Sequence, residues 1–542
     1  MKSTMQDGEL TVASLFRHGA RVHGSSQVVT AREGGVTRAS FAEVAGRAAR
    51  LASALQRLGV GPGDRVATFA WNTQEHLEAY LAVPCLGAVL HTVNIRLAAA
   101  EIAEIIRHAE DRVLIVDHTL LDRIAPLLPE LPTVEALIVI GETTGGMAGA
   151  LRYHDLVAAA APLEAWPQLD EYAAAGLCYT SGTTGTPKGV AYSHRSVYLH
   201  SLTLLAADVF GLGERDRVLP VVPMFHASAW GFPYAAWMAG SDLVLPGRAP
   251  QAASLARLIA DEKPTVAAAV PSIWIDLMHH GEAEPLDLAS LRLIACGGAA
   301  VPLSLMKWYQ ERHRVPLIQV WGLTETSPIA AVSLPPADAD PSDPWAWRSR
   351  TGRVIPGVEL RLTDDRGVEL PWDDASVGEI EVRGPWVTGE YYRDDQPDKF
   401  ADGWFKTGDL GRVDSRGYIQ ITDRIKDVIK SGGEWVSSIA LENALIAHPG
   451  VQEAAIIGVA DPRWQERPLA CVVLRDGAEV GPAALRSHLA AHVVRWWIPE
   501  RWVFTSKIPR TSVGKIDKKE LRLLYQNGRL GRVVTARDTV EE

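Results

Sequence analysis

The chain has 542 residues, 47% hydrophobic and 22% charged, ordinary globular values that exclude a disordered, collagen-like or low-complexity chain. Its 54 basic and 65 acidic residues leave a formal charge of −11, which argues against a protein built to coat nucleic acid. Four scattered cysteines (Cys85, Cys178, Cys296, Cys471) form no CxxC pair, so neither a disulfide framework nor a zinc site is indicated, and a reducing cytoplasmic setting is expected.

The first ten residues carry Asp7 and Glu9 and lack the apolar core of a signal peptide. Residues 41–58 have apolar positions at helical spacing and end at Gly59, a C-cap residue. Residues 65–70 then read as a strand, 73–87 as a helix, 88–93 as a strand, 101–109 as a helix and 113–116 as a short buried strand. That rhythm, recurring over 218–318, predicts an α/β fold with mainly parallel sheets. The most apolar stretches, 81–93 and 220–240, are short or broken by prolines and His226, so no membrane span is expected. From Gly352 the texture changes: strand-like runs at 358–362, 378–383 and 417–422, separated by Gly- and Asp-rich turns, predict a β-rich subdomain over about 352–422. Beyond it, a helix at 441–447 and a strand at 451–458 predict a small α+β domain. The expected division is 1–423 and 424–542.

Between two strand-like runs lies Tyr179-Thr180-Ser181-Gly182-Thr183-Thr184-Gly185-Thr186-Pro187-Lys188-Gly189-Val190. Its glycines let backbone amides approach an anion, while hydroxyls and Lys188 supply donors for phosphate oxygens. It is not a Walker A loop, because Pro187 precedes the lysine and no Ser or Thr follows it. Gly59-Val60-Gly61-Pro62-Gly63 follows a helix and precedes a strand, the wrong order for a dinucleotide fingerprint, and reads as a turn. His488 and His492 are expected to lie on one helix, but Leu489 stands where a zinc protease needs glutamate. Lysine is scarce, at 12 residues, and eight of these lie from Lys399 onward. Compositional bias accounts for the scarcity, and it makes each surviving lysine a better candidate for work arginine cannot do.

Five blocks in order resemble the adenylate-forming superfamily of acyl-CoA synthetases, luciferases and peptide adenylation domains. They are the loop above; Trp321-Gly322-Leu323-Thr324-Glu325; Gly403-Trp404-Phe405-Lys406-Thr407-Gly408-Asp409; Asp423-Arg424-Ile425-Lys426-Asp427; and Pro509-Arg510-Thr511-Ser512-Val513-Gly514-Lys515. Pro223-Met224-Phe225-His226 and the block 429–435 most resemble bacterial medium- and long-chain fatty acid–CoA ligases and methylthiopropionate–CoA ligases. The resemblance implies a large N-terminal α/β region, a small mobile C-terminal domain, and ATP, Mg²⁺ and coenzyme A as reactants with a small carboxylic acid. It also implies a homodimer through the N-terminal region.

Residue by residue, the resemblance implies that Thr180, Ser181, Gly182, Thr183, Thr184 and Lys188 hold the β- and γ-phosphates. Glu325, with Thr180, would bind Mg²⁺, and Thr324 would contact the α-phosphate. Gly297, Gly298, Ala299 and Gly322 would approach adenine and the acyl pocket, and Trp321, where most relatives have tyrosine, would stack on adenine. Asp409 would accept from the ribose, with Arg424 nearby. Lys515 would stabilise the adenylation transition state, and Lys426 would be the hinge. Lys430, Gly432, Gly433, Glu434, Trp435 and Glu466 would line the pantetheine route after rotation. His226, Trp230 and Pro328 would border the acyl pocket, with Trp230 as gate and no basic residue to greet a polar tail. Fatty, aryl and sulfur-containing acids remain open, as do an amine acceptor and a catalytically dead ATP sensor.

Overall fold

The computed structural model describes residues 1, 3–180, 187–248, 251–432, 434–511 and 514–535, with Glu434 described by its backbone. Two large sheets and one small one carry the fold. In the seven-stranded sheet Leu151–Arg152, Ala136–Ile140, Val113–Asp117, Arg65–Phe69, Val89–Thr92 and Ala174–Tyr179 run parallel in that spatial order, and Gly189–Ser193 closes the edge antiparallel. All five residues of Val113–Asp117 are buried, as expected for a parallel strand covered on both faces.

A fifteen-stranded sheet begins with a second parallel run: Gln27–Arg32, Asp242–Leu245, Arg217–Pro220, Val266–Ala269, Leu293–Gly297 and Leu317–Gly322. It continues antiparallel through Ile329–Val332 and Gly352–Val354 into Tyr418–Arg424, Trp404–Val413, Gly378–Arg383 and Glu359–Thr363. The β-rich subdomain expected from sequence is therefore hydrogen-bonded to the main sheet rather than forming a sheet of its own. The strand Tyr418–Arg424 runs through the expected division, and Arg424 is still paired to Asp409. A six-stranded sheet between Ile429 and Thr535 makes the C-terminal domain, with helices on both faces.

One apolar cluster fills the space between the large sheets. Its centre is aromatic: Trp237 stacks on Phe41 with ring centroids 4.2 Å apart, and its indole N–H donates to the Phe16 carbonyl at 3.1 Å. Phe41 opens the helix Phe41–Arg57, whose start is fixed by the Ser40–Glu43 capping box. That helix ends where the sequence predicts, with Gly59 at φ +83° just beyond it. The second histidine of the His488/His492 pair departs from expectation: the helix Pro482–Ala490 ends first, and His492 Nδ1 meets the His488 carbonyl. No helix among the described residues is long and apolar enough to cross a membrane.

Because Trp237 has no solvent exposure, truncation leaves a large void and removes its hydrogen bond to the Phe16 carbonyl. Trp237→Ala is expected to lower stability by about 3–5 kcal/mol, read as a shift in urea midpoint by far-ultraviolet circular dichroism; an unchanged midpoint would contradict this packing.

Candidate active site

A cavity of about 280 Å³ opens where parallel strands of both large sheets end. Thr180 follows the strand Ala174–Tyr179, Val270 follows Val266–Ala269, Gly298 follows Leu293–Gly297, and Gly322 ends Leu317–Gly322. All line the cavity, which fits the general placement of ligands at the carboxyl ends of open α/β sheets. The C-terminal side closes it with Ile425, Lys426 and Lys515.

On one wall stand Thr180, Lys188, Thr324, Glu325 and Tyr391. Thr180 braces the loop exit: its N–H donates to the Lys188 carbonyl at 2.9 Å, and its hydroxyl accepts from the Lys188 N–H at 3.1 Å. Ser181, Gly182, Thr183 and Thr184 lie outside the described residues. Glu325 is 8% exposed and accepts at Oε1 from the Tyr391 hydroxyl at 2.7 Å. Sequence reading missed Tyr391; its only signal is the Tyr391-Tyr392 pair ahead of the Gly403–Asp409 block.

The opposite wall gathers charge. Asp409, 3% exposed, accepts from Arg424 Nε at 3.0 Å through Oδ1 and from the Trp321 indole N–H at 2.9 Å through Oδ2. Arg424 lines the cavity, while Trp321 and Asp409 sit behind its wall. The indole N–H of Trp321 thus orients Asp409, a contact that the expected stacking on adenine did not announce. Gly298, at φ +84°, leaves room for Lys515; a Cβ there would lie 3.4 Å from the Lys515 Cε. Ala299, one residue on, is exposed and off the cavity wall. Lys515 is carried on a self-braced turn, with the Thr511 N–H donating to the Lys515 carbonyl at 2.7 Å and the Lys515 N–H to the Thr511 hydroxyl at 3.2 Å. Desolvation first, and then Arg424, pull the Lys515 ammonium down to about 8. The same two causes bring Lys426, at the rim, to about 8.

Beyond these charges the lining turns apolar: Ala227, Trp230, Val270, Val320, Pro328 and Ile329. Trp230 packs under Gly297, where a Cβ would meet its ring at 3.3 Å. His226 is held neutral, its imidazole lowered to about 3 chiefly by desolvation and then by Lys515 and Arg96. Ala227, Ser228, Ala229 and Trp230 all have φ between 40° and 56°, a left-handed turn costing roughly 1–2 kcal/mol per residue. Cys178 anchors its start by accepting from the Ala227 N–H at 3.2 Å. The expectation of no basic group here needs correction, since Arg96 places its guanidinium 5.9 Å from the Phe225 ring centroid.

The remaining sequence candidates form a separate group on the C-terminal sheet. The Lys430 N–H donates to Glu466 Oε2 at 3.0 Å, and the Gly432 N–H to the Trp464 carbonyl at 2.9 Å. Gly432 sits at φ +62°, where a Cβ would meet the Trp464 ring at 2.8 Å. Trp435 is 49% exposed, Gly433 lies outside the described residues, and none of this group lines the cavity.

Residues 16–392 match the AMP-binding enzyme family and residues 440–515 the AMP-binding enzyme C-terminal domain. The chain belongs to the AMP-binding enzyme family. It is 45% identical over 534 residues to a long-chain-fatty-acid–CoA ligase of Thermus thermophilus, covering 97% of each chain. It is 43% identical over 540 residues to a 3-methylmercaptopropionyl-CoA ligase of Ruegeria pomeroyi, covering 97% of this chain and 99% of the relative. Among solved structures, the anthranilate CoA ligase AuaEII in complex with anthranoyl-AMP superposes with a TM-score of 0.88 at 28% identity, covering 97% of this chain and 99% of that one.

The lowered Lys515 ammonium gives a pH signature. Raising pH from 7 to 9 removes a cavity cation, so ATP affinity by calorimetry should fall roughly tenfold. Lys515→Arg, which stays charged, should remove the part of that fall owed to Lys515 and leave the part owed to Lys426, and a flat wild-type profile would refute the assignment.

Proposed function

We propose that this AMP-binding enzyme is an ATP-dependent acyl-CoA synthetase for an apolar, medium- or long-chain fatty carboxylic acid. The observation that carries this reading is the convergence of Lys188, Arg424 and Lys515 on a cavity that is also lined by Ala227, Trp230, Val270, Val320, Pro328 and Ile329. Phosphate chemistry needs the first feature, and an alkyl chain needs the second.

In the first half-reaction the acid's carboxylate oxygen bonds to the α-phosphorus of ATP, and the bond to pyrophosphate breaks. Thr180 and Lys188, with the loop between them, are assigned to the β- and γ-phosphates. Lys515, a compact cation on a flexible stem, reaches both the carboxylate and the α-phosphate, with Thr324 beside it. Asp409, pre-oriented by Trp321 and Arg424, takes the ribose. Gly298 and Gly322 are assigned to the approach of adenine. The neutral imidazole of His226 borders the acyl group and adds no competing charge.

Magnesium fits as an ion arriving with ATP. The Glu325 carboxylate and Thr180 hydroxyl are hard oxygen donors, and among the described residues no group of three or more His, Cys, Asp or Glu forms a protein cage. When bound, the ion supplies neutralisation of the phosphate oxygens.

In the second half-reaction the thiol of CoA attacks the acyl carbon and AMP leaves. Because Lys515 occupies the cavity while Lys430, Gly432, Trp435 and Glu466 lie outside it, the domain over 424–542 is proposed to rotate about Lys426 between steps. Gly433 and Glu434 belong to the same proposed route.

The test is a series of acids from propionate to palmitate, with 3-methylmercaptopropionate and benzoate, scored by CoA-dependent AMP release. Saturated linear acids are expected to lead; 3-methylmercaptopropionate leading would favour the second relative's chemistry, and benzoate leading would overturn the reading. Lys515→Ala should cut adenylation by about 10²–10³-fold while sparing thioester formation from supplied acyl-adenylate. Trp435→Ala should do the reverse, raising the KM for CoA about tenfold with pyrophosphate release unchanged.

A further inference from the structure

The segment around Thr388 to Tyr392 touches both halves of the phosphate side, although nothing in the local sequence announces it. The Thr388 N–H donates to the Glu325 carbonyl at 2.8 Å, and the Tyr391 hydroxyl donates to the same residue's Oε1 at 2.7 Å. One residue later, the Tyr392 N–H donates to the Gly189 carbonyl at 2.8 Å, tying the segment to the strand that leaves the phosphate loop. Between these anchors the Tyr391 ring lies beneath Lys188, whose Nζ is 5.0 Å from the ring centroid. The ring is itself wedged by Phe400, with centroids 5.3 Å apart in an edge-to-face contact.

These contacts divide the labour within one side chain. The phenol proton fixes the orientation of a buried carboxylate, and the ring face attracts an ammonium. Burial and the neighbouring Glu325 push the phenol well above its ordinary range, so it stays a neutral donor at any working pH. Holding Oε1 restricts Glu325 to presenting its other oxygen to an incoming hard cation, without adding charge to the site.

We propose that Tyr391 is a positioning residue for nucleotide activation: its hydroxyl aims Glu325 and its ring holds Lys188, so that carboxylate and ammonium meet the phosphates of magnesium-bound ATP in a fixed relation. This rests on the acyl-adenylate reading given above. The second half-reaction needs neither contact, so the effect belongs to adenylation alone.

Two variants separate the two functions. Tyr391→Phe keeps the ring and removes the hydroxyl; Tyr391→Leu removes both. Each is assayed for acid-dependent pyrophosphate release over a magnesium titration, and for thioester formation from supplied acyl-adenylate. ATP binding is measured calorimetrically with and without Mg²⁺. For Tyr391→Phe the half-saturating magnesium concentration should rise about tenfold, and ATP binding should weaken only when Mg²⁺ is present. For Tyr391→Leu, ATP binding should weaken without Mg²⁺ as well, because Lys188 is released. Thioester formation should stay within about twofold of wild type in both. A Tyr391→Phe enzyme with wild-type magnesium dependence and ATP binding would overturn the proposal, as would equal loss in both half-reactions, the mark of a merely structural residue. If the wild type releases no pyrophosphate with any acid, the acyl-adenylate reading fails instead, and calorimetry still decides whether Tyr391 governs magnesium-dependent ATP binding.

Discussion

Everything at this site depends on holding several like charges around one cavity. Lys188, Arg424, Lys426 and Lys515 all line it, faced by the carboxylate of Glu325 on the wall and that of Asp409 behind it. Such an arrangement repels itself until phosphates arrive, and the strain falls on the group most easily discharged. Arginine does not yield, so Arg424 keeps its proton beside Asp409, while Lys515 is pulled down to about 8, first by desolvation and then by Arg424. On the proposed reading, the same repulsion favours withdrawal of Lys515 once pyrophosphate has gone. A lysine on a separate domain is thus a cation that can be delivered and removed, which a cation fixed to the sheet cannot be.

The carboxylates are managed by neutral or permanent partners rather than by more lysine. Asp409 is pinned through both oxygens by Trp321 and Arg424, and Glu325 is pinned at Oε1 by a phenol. Each pin satisfies a buried carboxylate oxygen and fixes its direction before any ligand is present. Tryptophan at 321 therefore does more than form an aromatic wall: its N–H gives Asp409 a second donor.

Much of this was legible in sequence because it is local. The alternation of helix and strand through residue 116 and the glycine-rich loop between two strands follow from periodicity and turn chemistry, whereas the blocks carrying Glu325, Arg424 and Lys515 were marked out by their resemblance to the adenylate-forming superfamily. What sequence could not yield depends on which distant segments meet. Tyr391 reaches Glu325 across 66 positions. Arg96 comes to Phe225 from another strand–helix unit, and the antiparallel strands after Gly352 join the parallel sheet through Ile329–Val332 and Gly352–Val354. The left-handed turn at Ala227–Trp230 was hidden for a different reason: alanine and tryptophan carry no signal for positive φ, and only the surrounding core, with Cys178 at the turn's start, holds them there.

The two groups of functional residues are related by a short stretch of chain. Arg424 ends the strand paired with Asp409, and by Ile429 the chain has entered the C-terminal sheet, where Lys430 pairs with Trp435. Lys426 and Asp427 fall between, with Asp427 receiving Arg522 of the C-terminal domain at 2.9 Å. A rotation confined to that stretch would leave Arg424 on Asp409 and the nucleotide side undisturbed, while exchanging Lys515 for the glycine-bearing face of the small sheet. On the proposed reading, adenylation and thioester formation need opposite things of one opening, a cation in the first and room for a thin arm in the second. Gly432, whose missing side chain makes room for the Trp464 ring, brings no charge to that opening, so on the same reading the exchange also relieves the repulsion that Lys515 creates.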